Sequence, residues 1–152
     1  MEIKIRKSIA SDCPRMLELV KELAKFERAP EAVTVSLEHF VEMGFGRNPV
    51  WQALVAVDAD EKIIGISLCY MRYSTWKGLI LYLEDLIVTE SVRGKGIGKM
   101  LFDSTVEEAR KLGACGIMWQ VLDWNKPAIK FYKKYGAKIS KEWLNCSISF
   151  EQ

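Results

Sequence analysis

The sequence predicts a single α/β domain, residues 1–152, in which helices lie on both faces of a central mixed sheet and the elements run βααβββαβαβ. Three observations lead there. Apolar residues alternate in several short stretches and recur at helical spacing in others. Three strands before residue 90 are joined by short polar links, which makes them an antiparallel meander. The third of these connects to a later apolar strand through a long amphipathic helix, and a crossover of that length requires parallel pairing.

In chain order, Ile3, Ile5 and Ile9 mark a first strand, with Lys4 and Arg6 on its other face. Ser11 or Asp12 can cap a helix with Pro14 in its first turn and Met16, Leu17, Val20, Leu23, Ala24 and Phe26 on its apolar side. Ser36 can cap a second helix through Leu37, Phe40, Val41 and Met43, ended by Gly44 and Gly46. Val50 to Val57, Ile63 to Tyr73 and Leu79 to Val88 read as strands, with a polar turn at Asp58 to Glu61 and a loop at Ser74 to Gly78. A helix follows from about Gly96 to Leu112, with Ile97, Leu101, Thr105, Ala109 and Leu112 on one face and Lys99, Asp103 and Arg110 opposite. Ile117 to Leu122 is the parallel strand. Asn125 caps a further helix with Pro127 in its first turn, and Gly136 closes it. Trp143 to Phe150 alternates as a last strand.

Composition narrows the function. A net charge of +2 without a basic block argues against nucleic acid as a partner. No apolar run approaches the roughly 20 residues of a membrane span. Cys13, Cys69, Cys115 and Cys146 are far apart and form no CxxC pair, so no metal site is expected. No signal peptide is read at the start, where Met1 to Arg6 alternates like a strand. The cysteines are therefore expected to be reduced, mostly in the core, and the protein cytoplasmic.

The chemistry concentrates at Tyr82 to Lys99. Glu84 and Asp85 sit in an otherwise apolar strand, where carboxylates cost stability unless paired or hydrated. In a regular strand they point to opposite faces. Beyond the strand, Gly94, Gly96 and Gly98 alternate at a helix start, flanked by Arg93, Lys95 and Lys99. Glycines let backbone N–H groups approach an anion, and a helix N-terminus favours negative charge. The spacing fits neither a dinucleotide fingerprint nor a phosphate loop, since three residues separate Gly94 from Gly98 and Met100 follows Lys99. Read alone, Tyr132 is a core aromatic and Asn125 a helix cap. His39 has no partner at a catalytic spacing, and Glu18, Glu22 and Glu27 with Lys21 and Lys25 form a mostly solvated helix face.

Arg93-x-x-Gly96-x-Gly98 after an apolar strand, with Asn125 and Tyr132 seven residues apart downstream, resembles the Gcn5-related N-acetyltransferases (GNAT). Lys21 to Glu27, Gly44-Phe45-Gly46, Tyr73-Ser74-Thr75-Trp76-Lys77-Gly78, Tyr82-Leu83-Glu84-Asp85 and Leu122-Asp123-Trp124-Asn125 are similar to the diamine acetyltransferase branch, and nearer its thialysine-acetylating type. The resemblance implies the GNAT fold and acetyl-CoA as acetyl donor. Leu86, Ile87 and Val88 would pair through their backbone with its pantetheine arm, and Arg93, Gly94, Lys95, Gly96, Ile97, Gly98 and Lys99 would hold its pyrophosphate. Asn125, Lys126, Pro127 and Ala128 would also contact it. Tyr132 would protonate the departing thiolate, and Glu84 would take the amine proton. Phe26, Glu27, Glu84, Asp85, Met118, Trp119 and Gln120 would line the site of a small-molecule amine substrate. A homodimer is also implied. Lys138 to Gln152 departs from the family pattern, and Met118 stands where some relatives carry a polar residue.

The residue types suit that chemistry. A primary amine has a pKa of about 10.4, so attack at pH 7 first requires removal of a proton, at a cost of about 4.6 kcal/mol. A carboxylate is a suitable acceptor, and acidic walls concentrate a cation. The expected activity is N-acetylation of a diamine, polyamine or lysine-like amine by direct attack in a ternary complex. A protein N-acetyltransferase and a non-catalytic CoA-binding sensor are the rivals; retention of both Glu84 and Tyr132 argues against the sensor.

Overall fold

The computed structural model, which describes residues 2–150, turns the apolar alternation into five strands of one sheet, ordered β1-β2-β3-β4-β5. These are β1 (Lys4–Lys7), β2 (Gln52–Val57), β3 (Ile63–Ser74), β4 (Gly78–Val88) and β5 (Ile117–Met118). The first four pair antiparallel in sequence order. The crossover expected from chain length is present, with β5 parallel to β4 through Leu81↔Ile117 and Tyr82↔Met118.

Helices cover both faces, as the sequence predicts. On one face lie α1 (Cys13–Phe26) and α2 (Leu37–Phe45). The buried side of α1, Cys13, Met16, Leu17 and Leu19, shares a core with Val55, Val57, Ile66, Leu68 and Ile87 of the sheet. Ser36 caps α2 by accepting from the His39 N–H at 3.1 Å. Trp51 locks α2 to the sheet by stacking on Phe40 at 4.6 Å and donating its indole N–H to the Phe40 carbonyl at 3.2 Å. On the other face α3 (Ile97–Lys111) packs Ile97 and Leu101 against Ala56 and Ile64. Thr105 is the polar member of its buried stripe. Its hydroxyl donates to the Leu101 carbonyl at 2.7 Å and accepts from Ser67 at 2.6 Å, so neither hydroxyl is buried unpaired.

β3 records where this cover ends. Ile63 to Cys69 is buried throughout, as expected of a strand covered on both sides. From Tyr70 the strand emerges, and the polar residues Tyr70, Arg72 and Tyr73 begin there.

The chain divides into two compact units, Met1–Gln120 and Val121–Gln152. The second holds α4 (Lys126–Lys133). Asn125 caps it by accepting from the Ala128 N–H at 3.4 Å, Pro127 lies in its first turn, and Gly136 follows at φ +74°.

Four local expectations are corrected. The alternating stretch 143–150 forms no strand. Trp143, Leu144, Ile148 and Phe150 are 77%, 84%, 87% and 86% exposed, and alternation without a partner ladder does not hold a strand. The strand expected at 117–122 stops at Met118, because its ladder with β4 ends at Tyr82, just before an irregularity described below. Gly44 lies inside α2, and Gly46 alone terminates it. Asp12 sits at the cap position of α1 but does not cap. Its carboxylate takes a two-pronged bond from Arg6, at 2.8 and 3.0 Å, and one from the Ile9 N–H at 2.8 Å. The Arg6 bond holds the Asp12 carboxyl below the usual aspartate range. Of the four cysteines, all unpaired thiols, Cys13 and Cys69 are core residues while Cys115 and Cys146 are exposed. Among the described residues no cluster of metal ligands occurs, and no helix is long and apolar enough to cross a membrane.

Candidate active site

The glycine turn is built by its two ends. A short helical turn, Glu90–Val92, leads out of β4, and Arg93 folds back so that its Nε donates to the Val88 carbonyl at 2.9 Å. Gly94 and Gly96 both take φ +81°, a left-handed conformation that L side chains rarely adopt. A Cβ added at either would meet nothing within 4 Å, so these glycines serve backbone conformation and not close packing. Gly96 is the N-cap of α3, and no side chain caps that helix end. Uncapped N–H groups, the helix dipole and the exposed Lys95 suit an anion such as a pyrophosphate. Lys99 instead pairs with Asp103 at 2.7 Å along the helix.

Glu22 of α1 clamps this turn from outside. Its carboxylate accepts from the Thr89 hydroxyl at 3.1 Å and the Glu90 N–H at 2.8 Å, and approaches the Arg93 guanidinium at 3.8 Å. Arg93 also lies 5.2 Å over the Phe26 ring. Arg93 thus braces the turn through three contacts. Glu22, read from sequence as part of a solvated face, is a correction. The i,i+4 pattern cannot show that the tail of β4 passes within reach of α1.

The two strand carboxylates do not behave as a regular strand dictates. In the β3–β4 ladder Cys69 faces Leu83 and Leu68 faces Asp85, so Glu84 is the extra residue of a β-bulge. The bulge breaks the strict alternation that a regular strand dictates for Glu84 and Asp85. Asp85, facing Leu68 of the buried α1 side, is pushed up to about 7, first by burial and then by the charges of Glu84 and Glu27. Burial also raises the Glu27 carboxyl above the usual glutamate range. Glu84 is exposed. Burial first, then the nearby Glu84 carboxylate, push Tyr70 up to about 12. Asp85 therefore feels the charges of carboxylates from two elements, and the glycine turn follows the same strand.

At the end of α1, Phe26 lies beneath the Arg93 guanidinium and Glu27 is near enough for its charge to raise Asp85. Of the residues expected to follow on the next strand, Met118 is 42% exposed beside Tyr82, whereas Trp119 packs edge-on against Phe102 of α3 at 5.2 Å. Gln120 is exposed. In the second unit, Tyr132 is half-buried on α4, its ring 5.4 Å from Phe131. Sequence reasoning passed over Tyr70, Tyr82 and Arg72. Their signal was the appearance of polar groups at alternate positions late in β3 and β4, where an otherwise apolar strand leaves its cover.

Residues 14–137 match the family model described as Acetyltransferase (GNAT) family. The chain is 37% identical over 152 residues to a thialysine N-epsilon-acetyltransferase of Mus musculus, covering 93% of this chain and 89% of that protein. It is 33% identical over 140 residues to a spermidine/spermine N(1)-acetyltransferase-like protein 1 of Homo sapiens, covering 88% of this chain and 20% of that protein. The crystal structure of a possible acetyltransferase from Clostridium difficile 630 superposes with a TM-score of 0.83 over 99% of this chain and 100% of the other, at 19% identity, which supports the shared fold.

Proposed function

We propose that this chain, which belongs to the acetyltransferase (GNAT) family, transfers acetyl from acetyl-CoA to a primary amine of a small diamine, polyamine or thialysine- or lysine-like molecule, by direct attack in a ternary complex. Transfer of acetyl to an amine is the family's activity; the amine's identity and the role of each residue are our reading. The observation that carries it is the bulge at Glu84, beside an Asp85 that feels the charges of Glu84 and Glu27, on the strand that leads into the glycine turn.

Leu86, Ile87 and Val88, with the N–H groups of Gly94 to Lys99, would hold the cofactor's pantetheine and pyrophosphate; the left-handed glycines and uncapped α3 fit that anion. Arg93 braces the turn. Asn125 to Ala128 would contact the cofactor from the start of α4. When bound, acetyl-CoA supplies the acetyl group and a thiolate leaving group. The chain's own residues handle cation and protons. Glu27 and Glu84 attract the substrate ammonium. Glu84 takes its proton, and beside it stands Asp85, whose own carboxyl is pushed up to about 7, mainly by burial. The Tyr132 hydroxyl returns a proton to the leaving group. Phe26, Met118 and Gln120 would line the amine's path.

The match from 14 to 137 runs across the boundary between the two compact units, which supports one acetyltransferase domain. The family resemblance supports a cytoplasmic homodimer. The reading is tested by supplying purified protein with acetyl-CoA and putrescine, spermidine, lysine or S-aminoethylcysteine. Free thiol release that depends on the amine is expected. Intact acetyl-CoA binding with no release on any of them would favour the sensor.

A further inference from the structure

Past Glu84, the sheet carries a row of side chains that the acetyl-transfer reading leaves without a task. Tyr70 of β3 stands opposite Tyr82 of β4, with ring centroids 5.2 Å apart. Tyr82 in turn stands beside Met118 of β5. Two residues beyond Tyr70, on the same side of β3, comes Arg72, opposite Ile80. The row therefore begins with the carboxylate of Glu84, passes over two tyrosines, and ends with a guanidinium.

Arg72 is exposed and makes no ion pair among the described residues; its guanidinium donates to the Met118 sulfur at 3.9 Å. A guanidinium offers five N–H donors arranged as a fork that matches a carboxylate, and a thioether is a weak acceptor. The strand around it supplies no acid, while every acid of the site lies at the other end of the row. Its charge still reaches into the site, since it draws the Tyr70 and Tyr82 hydroxyls down against the effects that raise them.

The spacing suits a zwitterion. From Ile80, opposite Arg72, to Glu84 is four residues of strand, about 13 Å at about 3.3 Å per residue. An extended lysine-like chain spans about 7 Å from its terminal nitrogen to its carboxyl carbon. The arginine and glutamate arms can close the remainder. A diamine would set its second ammonium against Arg72, like charge facing like charge.

We propose that Arg72 is a specificity-determining residue that binds the carboxylate of an amino-acid-type substrate, so that lysine-like amines are favoured over diamines that lack a carboxylate. This rests on the amine-acetylation reading above and narrows its substrate class.

Lysine and cadaverine, which differ by that carboxylate alone, form the matched pair for the test, with lysine amide as a third substrate of intermediate shape. Wild-type kcat/KM is expected to favour lysine over both by about tenfold or more, the worth of a charge-assisted hydrogen bond. Arg72→Gln collapses the ratio toward one, and Arg72→Glu inverts it, while Arg72→Lys keeps part of it because charge survives and the fork does not. The KM for acetyl-CoA is not expected to track these ratios, as it would if the substitutions acted by disturbing the fold. A wild type that prefers cadaverine, or a ratio that Arg72→Gln leaves unchanged, overturns the inference while amine acetylation stands. No turnover on any amine overturns both.

Discussion

The Glu22 carboxylate of α1 accepts a hydrogen bond from the Glu90 backbone N–H at 2.8 Å, tying the first helix to the chain that leaves β4 for the glycine turn. Through it, the element that ends in Phe26 and Glu27 is fixed to the element that begins the anion site.

Removing that tie is expected to loosen the turn. Glu22→Ala removes the acceptor of the Glu90 N–H and the Thr89 hydroxyl and the ion-pair partner of Arg93, which costs about 0.5–1.5 kcal/mol. Thermal melts should show the loss, and acetyl-CoA binding measured by titration should weaken with it. Wild-type affinity in a destabilised Glu22→Ala protein would separate the clamp from the cofactor site.

Gly96→Ala tests the turn itself. The Cβ meets no atom, so the cost is conformational, about 1–2 kcal/mol for a left-handed residue other than glycine. The expected outcome is a weaker acetyl-CoA affinity from misaligned N–H groups at the start of α3. An unchanged dissociation constant would remove the turn from cofactor binding.

Asp85 makes stability depend on pH. Its folded-state pKa, about 7, lies above the ordinary 3.8, so the folded protein holds the extra proton between these values. Stability therefore falls as pH rises through that window, and the penalty is fully present above about 7. Asp85→Asn removes the charge and should raise the free energy of unfolding at pH 8 but not at pH 3.5, by on the order of a few kcal/mol at most, as measured by denaturant unfolding. An equal gain at both pH values would show that the carboxyl is not perturbed.

Tyr132→Phe keeps the ring and removes the hydroxyl. Turnover should drop by about a hundredfold or more, the usual worth of a proton donor, with acetyl-CoA affinity nearly unchanged. An unaffected rate would take Tyr132 out of the mechanism.

The local features of the candidate site were legible in the sequence. Alternating glycines, flanking cations and a strand-then-helix pattern point to an anion cradle because each feature is local. The buried stripe of Ile97, Leu101, Thr105 and Ala109 followed from period, although Leu112, expected on the same face, lies past the end of α3 and is exposed; the parallel pairing of β4 with β5 followed from the length of the crossover. What was not legible is non-local or depends on register. The bulge at Glu84 exists only in the match of β4 to β3, and no alternation rule places it. Glu22 looks like any solvated acid until the tail of β4 is seen beside it. Residues 143–150 alternate as a strand should, but alternation reports which faces differ and not whether a partner ladder is there.

The central claim is that the carboxylates at the bulge act on the amine while the glycine turn holds the cofactor. Glu84→Gln combined with Asp85→Asn tests it most directly, through amine-dependent thiol release with lysine and the acetyl-CoA dissociation constant measured on the same protein. The account predicts a loss of turnover of about a hundredfold or more with acetyl-CoA affinity retained. Turnover near the wild-type rate, or a loss of acetyl-CoA binding as large as the loss of turnover, would contradict it.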